Sequence, residues 1–315
     1  MINFRYHVVS LTAVFLALAI GLVVGTTALN GPVADALNDN VNELRKDNQV
    51  WRQAVNNLEE ELTREDDFAA ELAGVVLPGR LTGKRVLVLS LPTGRKHTDG
   101  VVNMLQLGNA DVVGRVDLQD KFINPENNND LLELAVTAAR PTNAPTTNLP
   151  GNGHGVETSS ALLATVLLDG VPEATPISEA DRRAVLAAYT NANYLTTSER
   201  LTQSAEAVVV VSGPPYTDKD SSKKDESVVK ITEQFDRTGT TVVGGTGSEG
   251  GNLVAFVRGD AVLAGEISTV DNANTVQGQL VTALALAQQV NEDRAGHYGV
   301  GDNAGSLVPT LPQGS

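Results

Sequence analysis

The stretch from Val8 to Leu29 carries no charged side chain over 22 residues and is rich in Leu, Val, Ile and Phe. As a helix it is roughly 33 Å long at about 1.5 Å per residue. That is enough to cross a hydrocarbon core of roughly 30 Å with some tilt. A cleaved secretory signal has an apolar core of about 7–15 residues that ends at a small-residue site. This run is longer, and its exit, Gly25-Thr26-Thr27-Ala28, makes a poor cleavage site. The sequence therefore predicts an uncleaved transmembrane anchor.

Charge sets its direction. Arg5 and the terminal amine precede the run, while the first charges after it are Asp35 and Asp39. Positive charge stays inside, so we expect a single-pass cell-membrane protein with a cytoplasmic N-terminus and the rest of the chain outside. Ala13, Ala17, Gly21 and Gly25 recur every fourth residue, and Gly21–Gly25 is a GxxxG. Small residues at that spacing let two membrane helices approach closely, which makes these four the candidate helix-packing positions.

Beyond the anchor, apolar residues step by four and three from Leu37 onward. The register places Val41, Asn48, Val55, Leu62 and Ala69 at heptad position a, and Leu37, Leu44, Trp51, Leu58 and Leu72 at d. About five heptads without interruption predict a coiled coil, and a lone Asn at a, here Asn48, suits a parallel dimer in register. The candidate dimer interface is Leu37, Val41, Leu44, Asn48, Trp51, Val55, Leu58 and Leu62. Asp47 and Arg52 attract across such a seam, whereas Glu61 and Asp66 repel and Glu65 falls at d. The seam should loosen toward its distal end. Gly31-Pro32 marks the start of this second helix, since proline suits a first helical turn.

From Arg85 the pattern changes. Arg85–Ser90 and Ala207–Val211 are continuous apolar runs of the kind found in buried parallel strands, and helical stretches alternate with them. The fold class is α/β: one transmembrane helix, a coiled-coil stalk, then a Rossmann-like three-layer domain with a mostly parallel sheet. The expected divisions are a cytoplasmic tip and anchor over 1–30, a stalk over 31–77, an α/β domain over 78–300 and a disordered tail over 301–315. Leu253–Val257 and Val262–Ala264 read as short strands around Arg258-Gly259-Asp260. Asn274–Val290 reads as a long helix, and Pro141–Gly155 as an exposed loop.

Chemistry is sparse. With no cysteine, disulfides, thiol catalysis and Cys-ligated metal centres are excluded, and only two Met and four His are present. Soft metals such as Cu(I) prefer thiolate and thioether ligands. The net charge of −15 argues against nucleic acid. Gly245–Gly250 fits GxGxxG after a strand, but a dinucleotide site needs a helix next, and Gly251–Phe256 reads as a strand. Thr93–Asp99, with Arg95, Lys96 and His97, follows the first strand where open sheets place ligands; solvated loop charge accounts for it more simply. Ser159-Ser160, Ser212 and Ser248 lack the GxSxG setting. Asp271-Asn272 and His297-Tyr298 can meet in space, though residues capping the last helix look the same, and capping is the favoured reading. No catalytic, cofactor or metal residue is assigned, and the chain is expected not to be an enzyme.

The segments Phe4–Leu11 and Ala13–Gly21, together with Ser268–Thr275 and Gly296–Gly299, resemble the opening and the C-terminal signature of the actinobacterial MctB family, named for mycobacterial copper transport. The resemblance implies one of two roles. One is copper transport across the cell envelope. The other is that of corynebacterial SteB-type relatives, implicated in cell separation with a SteA-type partner and control of peptidoglycan hydrolases. The residues favour the second. We expect a dimeric envelope scaffold bound to the bilayer that positions a membrane or envelope partner, with copper as the alternative.

Overall fold

The computed structural model describes residues 4–139, 142, 144, 149–170, 177–198 and 201–310. It divides into two units, 1–64 and 65–315.

The described residues of the first unit, from Phe4 on, lie within a single helix, α1, spanning Phe4–Val76. Helix runs on through Gly31-Pro32, where the sequence suggests a new start. A proline removes one rung of the hydrogen-bond ladder, and here the flanking turns continue on both sides. Phe4–Thr26 is long and apolar enough to cross a membrane, with a mean hydropathy of 2.6.

The second unit is the α/β head. Its elements in chain order are β1 (Arg85–Ser90), α2 (Arg95–Leu107), β2 (Asp111–Leu118), α3 (Asp120–Ile123), α4 (Asn128–Ala139), α5 (Gly155–Leu167), α6 (Glu179–Asn191) and β3 (Leu195–Thr197). There follow β4 (Ala207–Val211), α7 (Ser221–Asp236), β5 (Thr240–Gly244), α8 (Leu253–Gly259), α9 (Leu263–Glu266), β6 (Ser268–Val270), α10 (Val276–Glu292) and β7 (His297–Tyr298). The seven strands form one sheet in the order β3-β2-β1-β4-β5-β6-β7, parallel except for the β2–β3 pair.

The apolar runs explain the layering. In β1, Leu87 and Leu89 point to one face and Val86 and Val88 to the other, and all four are fully buried. Period-two alternation in an all-apolar strand requires cover on both sides. One face packs on α3–α8 through Phe122, Leu163, Val185, Ile231 and Val254. The opposite face packs on α2, α10 and the last turns of α1, through Val101, Leu105, Val281, Leu284, Ala73 and the adjoining Leu77.

That last contact moves a boundary. Ala69 and Ala73 are 2% and 0% exposed, and Asp66 Oδ1 accepts a hydrogen bond from Val276 N at the start of α10 (3.2 Å). The distal turns assigned to a stalk ending at residue 77 therefore belong to the head from Glu65 onward. Small residues spaced by four let this helix lie close against the sheet layer.

Two further expectations change. Leu253–Val257 and Val262–Ala264 are not strands: they lie in α8 and in the α9 turn, and α8 opens on Asn252, whose side chain accepts from Val254 N (2.8 Å). An apolar run this short is ambiguous between strand and helix, and the Asx cap decides it. Residues 301–306, within the expected disordered tail, fold back on β7, with Gly299 N to Ser306 O at 3.2 Å and Gly305 N to His297 O at 2.8 Å. Residues 311–315, and parts of the loop expected over Pro141–Gly155, lie outside the described residues.

Candidate functional site

All parallel strands present their carboxyl ends to one edge of the sheet, and β1 and β4 flank the point where strand order reverses. Open α/β sheets place ligands in that crevice. Here the two loops close on each other. Leu91 N donates to Val211 O (2.9 Å), and Gly213 N donates to Thr93 Oγ1 (3.0 Å). A Cβ at Gly94 would collide with the Val211 carbonyl, and one at Gly213 with the Thr93 carbonyl. Only glycine permits such an approach, so backbone fills the crevice.

The basic residues after β1 are dispersed accordingly. Arg95 donates to Leu118 O (2.7 Å) and Gln119 Oε1 (2.8 Å) at the end of β2. Lys96 is exposed. His97 is held below the usual imidazole range, chiefly by burial and then by Lys96.

The glycine-rich loop Gly245–Gly250 does lead into a helix, contrary to the sequence expectation. Helix α8 is only seven residues long, and Asn252 takes up its free amide. Asn252 Nδ2 also holds Thr246 O (2.7 Å), closing the loop on itself. The serines are structural. Ser159 Oγ donates to Leu131 O (3.1 Å) and Ser160 Oγ to Val156 O (2.7 Å), while Ser212 is buried at the end of β4.

A dense polar network lies farther along the same edge. Arg258 on α8 and Asp271 after β6 form an ion pair at 2.9 Å, with side chains 3% and 1% exposed. Arg258 also donates from Nε to Thr269 Oγ1 (2.9 Å), from Nη2 to Tyr298 O (2.7 Å) and from Nη1 to Asp302 O (3.1 Å). Asp271 accepts from Val300 N (2.8 Å) and Gly301 N (3.1 Å). Thr269 Oγ1 lies 2.9 Å from His297 Nδ1. Asp271 and His297-Tyr298 thus do meet, through strand pairing and this network, while Thr275 caps α10 by accepting from Gly278 N (3.1 Å). Beside them Ser212 Oγ, Thr246 Oγ1 and Asn272 Oδ1 are buried with no hydrogen-bond partner among the described residues. Arg258 escaped sequence reasoning because Arg-Gly-Asp suggested a turn, and α8 carries the side chain inward instead.

The predicted interface residues all lie on α1. Asn48, Leu37, Leu44, Trp51, Val55, Leu58 and Leu62 are exposed, Trp51 at 72% and Leu62 at 58%, and Val41 is half-buried. Position a changes from open at Leu62 to buried at Ala69, in the head's own core. Ala13, Ala17 and Gly21 are exposed on the apolar stretch, and Gly25 is half-buried. Among the described residues no three His, Cys, Asp or Glu side chains are grouped to hold a metal ion.

Comparison with known proteins adds the following. A family model described as copper transport outer membrane protein, MctB, matches residues 1–309. A protein named copper transporter MctB from Mycobacterium bovis is 30% identical over 316 residues, covering 98% of this chain and 99% of its own length. The protein of that name from Mycobacterium tuberculosis gives the same figures. The one from Mycobacterium leprae is 29% identical over 324 residues, covering 99% of this chain and all of its own.

Proposed function

The chain belongs to the MctB family, and on that premise we propose that it serves copper transport in the cell envelope as a membrane-anchored, non-enzymatic scaffold. The observation that carries this reading is the extent of the match. Relatives named as copper transporters align with the apolar helix, the long helix after it and the head alike.

Within that role the three parts have separate tasks. Phe4–Thr26 moors the chain in the bilayer with its N-terminus in the cytoplasm, as the charge order of the sequence suggests. Helix α1 pairs in parallel with that of a second copy through Leu37, Val41, Leu44, Asn48, Trp51, Val55, Leu58 and Leu62. Exposed apolar side chains at heptad spacing support this pairing, and Asp47 complements Arg52 across a parallel seam. Ala13, Ala17, Gly21 and Gly25 continue the contact inside the membrane.

The head presents a docking surface to an envelope partner. Support comes from its core: β1 and β4 are buried on both faces, so the sheet is a packed layer rather than the wall of a lumen. With no cysteine and two methionines to offer a soft metal, the chain positions the copper-handling partner rather than conducting the ion.

Deletion of the gene tests this. The expected result is altered copper tolerance and cell copper content, restored by the intact chain but not by a Val55→Asp/Leu58→Glu variant. Unchanged copper handling with chained, unseparated cells would replace this reading with the cell-separation role of SteB-type proteins.

A further inference from the structure

The C-terminal segment after β7 is fastened at a few identifiable points. Residues 299–306 turn back along β7, and their amides at Val300 and Gly301 end on the Asp271 carboxylate. Arg258 closes the other side by binding the carbonyls of Tyr298 and Asp302. The segment thereby lies against the carboxyl end of β6.

One titratable ring sits within this fastening. Arg258 Nε–H donates to Thr269 Oγ1, and His297 Nδ1 lies 2.9 Å from the same oxygen. Arg258 Nε and His297 Nδ1 thus share one hydroxyl, which has two lone pairs and one hydrogen to offer them. A second proton on the ring makes both nitrogens donors and the imidazole a cation. Two cationic groups then face each other across one hydroxyl in a half-buried setting, where like charges repel strongly.

We propose that residues 299–306 are a strap over the carboxyl end of β6, and that a proton on His297 releases it. The charged groups facing the ring are Arg258 from α8, and Asp271 after β6, which is already paired with Arg258. From the α9 side comes a backbone hydrogen bond at Ala264. On β7 itself the neighbouring Tyr298 hydroxyl is hydrogen bonded to Gln288. Burial, followed by Arg258, holds the imidazole below its ordinary range, against the smaller opposing effect of Ala264. Protonation is therefore resisted while the strap is closed and is taken up when it opens.

The test is amide hydrogen exchange of the full chain in detergent micelles at pH 7.5 and 5.5, corrected for the intrinsic pH dependence of exchange. Peptides covering 297–306 should exchange several-fold faster at the lower pH, up to about tenfold, the limit that an open-state pKa of about 6.5 sets, while β1 and β4 stay protected. His297→Gln, which cannot titrate, should abolish the difference. Equal protection of the strap at both pH values, or the same pH response in His297→Gln, would overturn the proposal. Should that variant fail to fold, the imidazole titration of the wild-type chain by NMR decides: a pKa at or above 6.5 overturns it, and a lower one with strap resonances shifting in step supports it.

Discussion

Arg258 and Asp271 are bonded at 2.9 Å with both side chains almost wholly out of water, and between them they hold α8, the end of β6 and the C-terminal segment. Removing one partner of a buried pair leaves the other charge uncompensated, which costs about 3–5 kcal/mol. Arg258→Ala should lower the unfolding free energy of the full chain in urea titrations by that order. Unfolding followed by intrinsic fluorescence from Trp51 would miss an event confined to the head, so circular dichroism is the measurement to make. A loss below about 1 kcal/mol would contradict the account of this network.

The exposed face of α1 predicts an oligomeric state. Val55→Asp with Leu58→Glu should turn a dimer into a monomer in sedimentation velocity in detergent. Asp47→Lys alone should weaken the dimer, and adding Arg52→Glu should restore it, with each exposed pair contributing roughly 0.2–1 kcal/mol. Failure of the double reversal to restore pairing would rule out the parallel register proposed for the seam.

Asp66 illustrates a residue whose partner changes its meaning. In the heptad reading it is an acid that repels Glu61 of a second chain. In the fold its carboxylate receives the Val276 amide at the N-terminus of α10 (3.2 Å). A negative group there is worth about 0.3–1 kcal/mol, up to about 2 when partly buried. Asp66→Ala should lower the thermal midpoint of the head accordingly, with Asp66→Asn in between. An unchanged midpoint in both variants would show that the contact contributes nothing.

A second pH effect should run opposite to that of His297. Burial, and then Glu266, push the Asp236 carboxyl up to about 7. The folded chain thus keeps a proton that the unfolded chain releases from about pH 4 upward. By linkage, stability falls as pH rises through that window and is lowest above 7. Asp236→Asn should raise the thermal midpoint at pH 8 and change it little at pH 4.5. His297, with a depressed pKa, contributes stability that is lost as pH falls below about 6.5. Thermal melts of Asp236→Asn and His297→Gln from pH 4.5 to 8 should separate the two by sign.

Much of the head was legible because its strands are extreme. Ala207–Val211 is apolar at every position, and no amphipathic helix reads that way. Ser178 caps α6 as its position before an acidic first turn suggests, its Oγ accepting from Asp181 N (3.1 Å). The misreadings arose where local signals conflict. Leu253–Val257 is too short for its periodicity to separate strand from helix, and only the Asn252 side chain tips the balance. The edge strands β3 and β7 are three and two residues long. They owe their conformation to β2 and β6, since runs this short carry no pattern of their own.

By itself the sequence determined the uncharged 22-residue run, the heptad spacing, the parallel α/β core and the family likeness at both ends, because each is a matter of side-chain polarity repeated at a fixed interval. Tertiary structure alone decided where the long helix passes into the head. It also decided that Gly94 and Gly213 seal the crevice at the strand reversal, and that Arg258 turns inward to Asp271. Those outcomes depend on groups 13 to 210 positions apart along the chain coming within hydrogen-bond reach. The energy of such a contact exists only once both surfaces have been cleared of water, and no local pattern carries it.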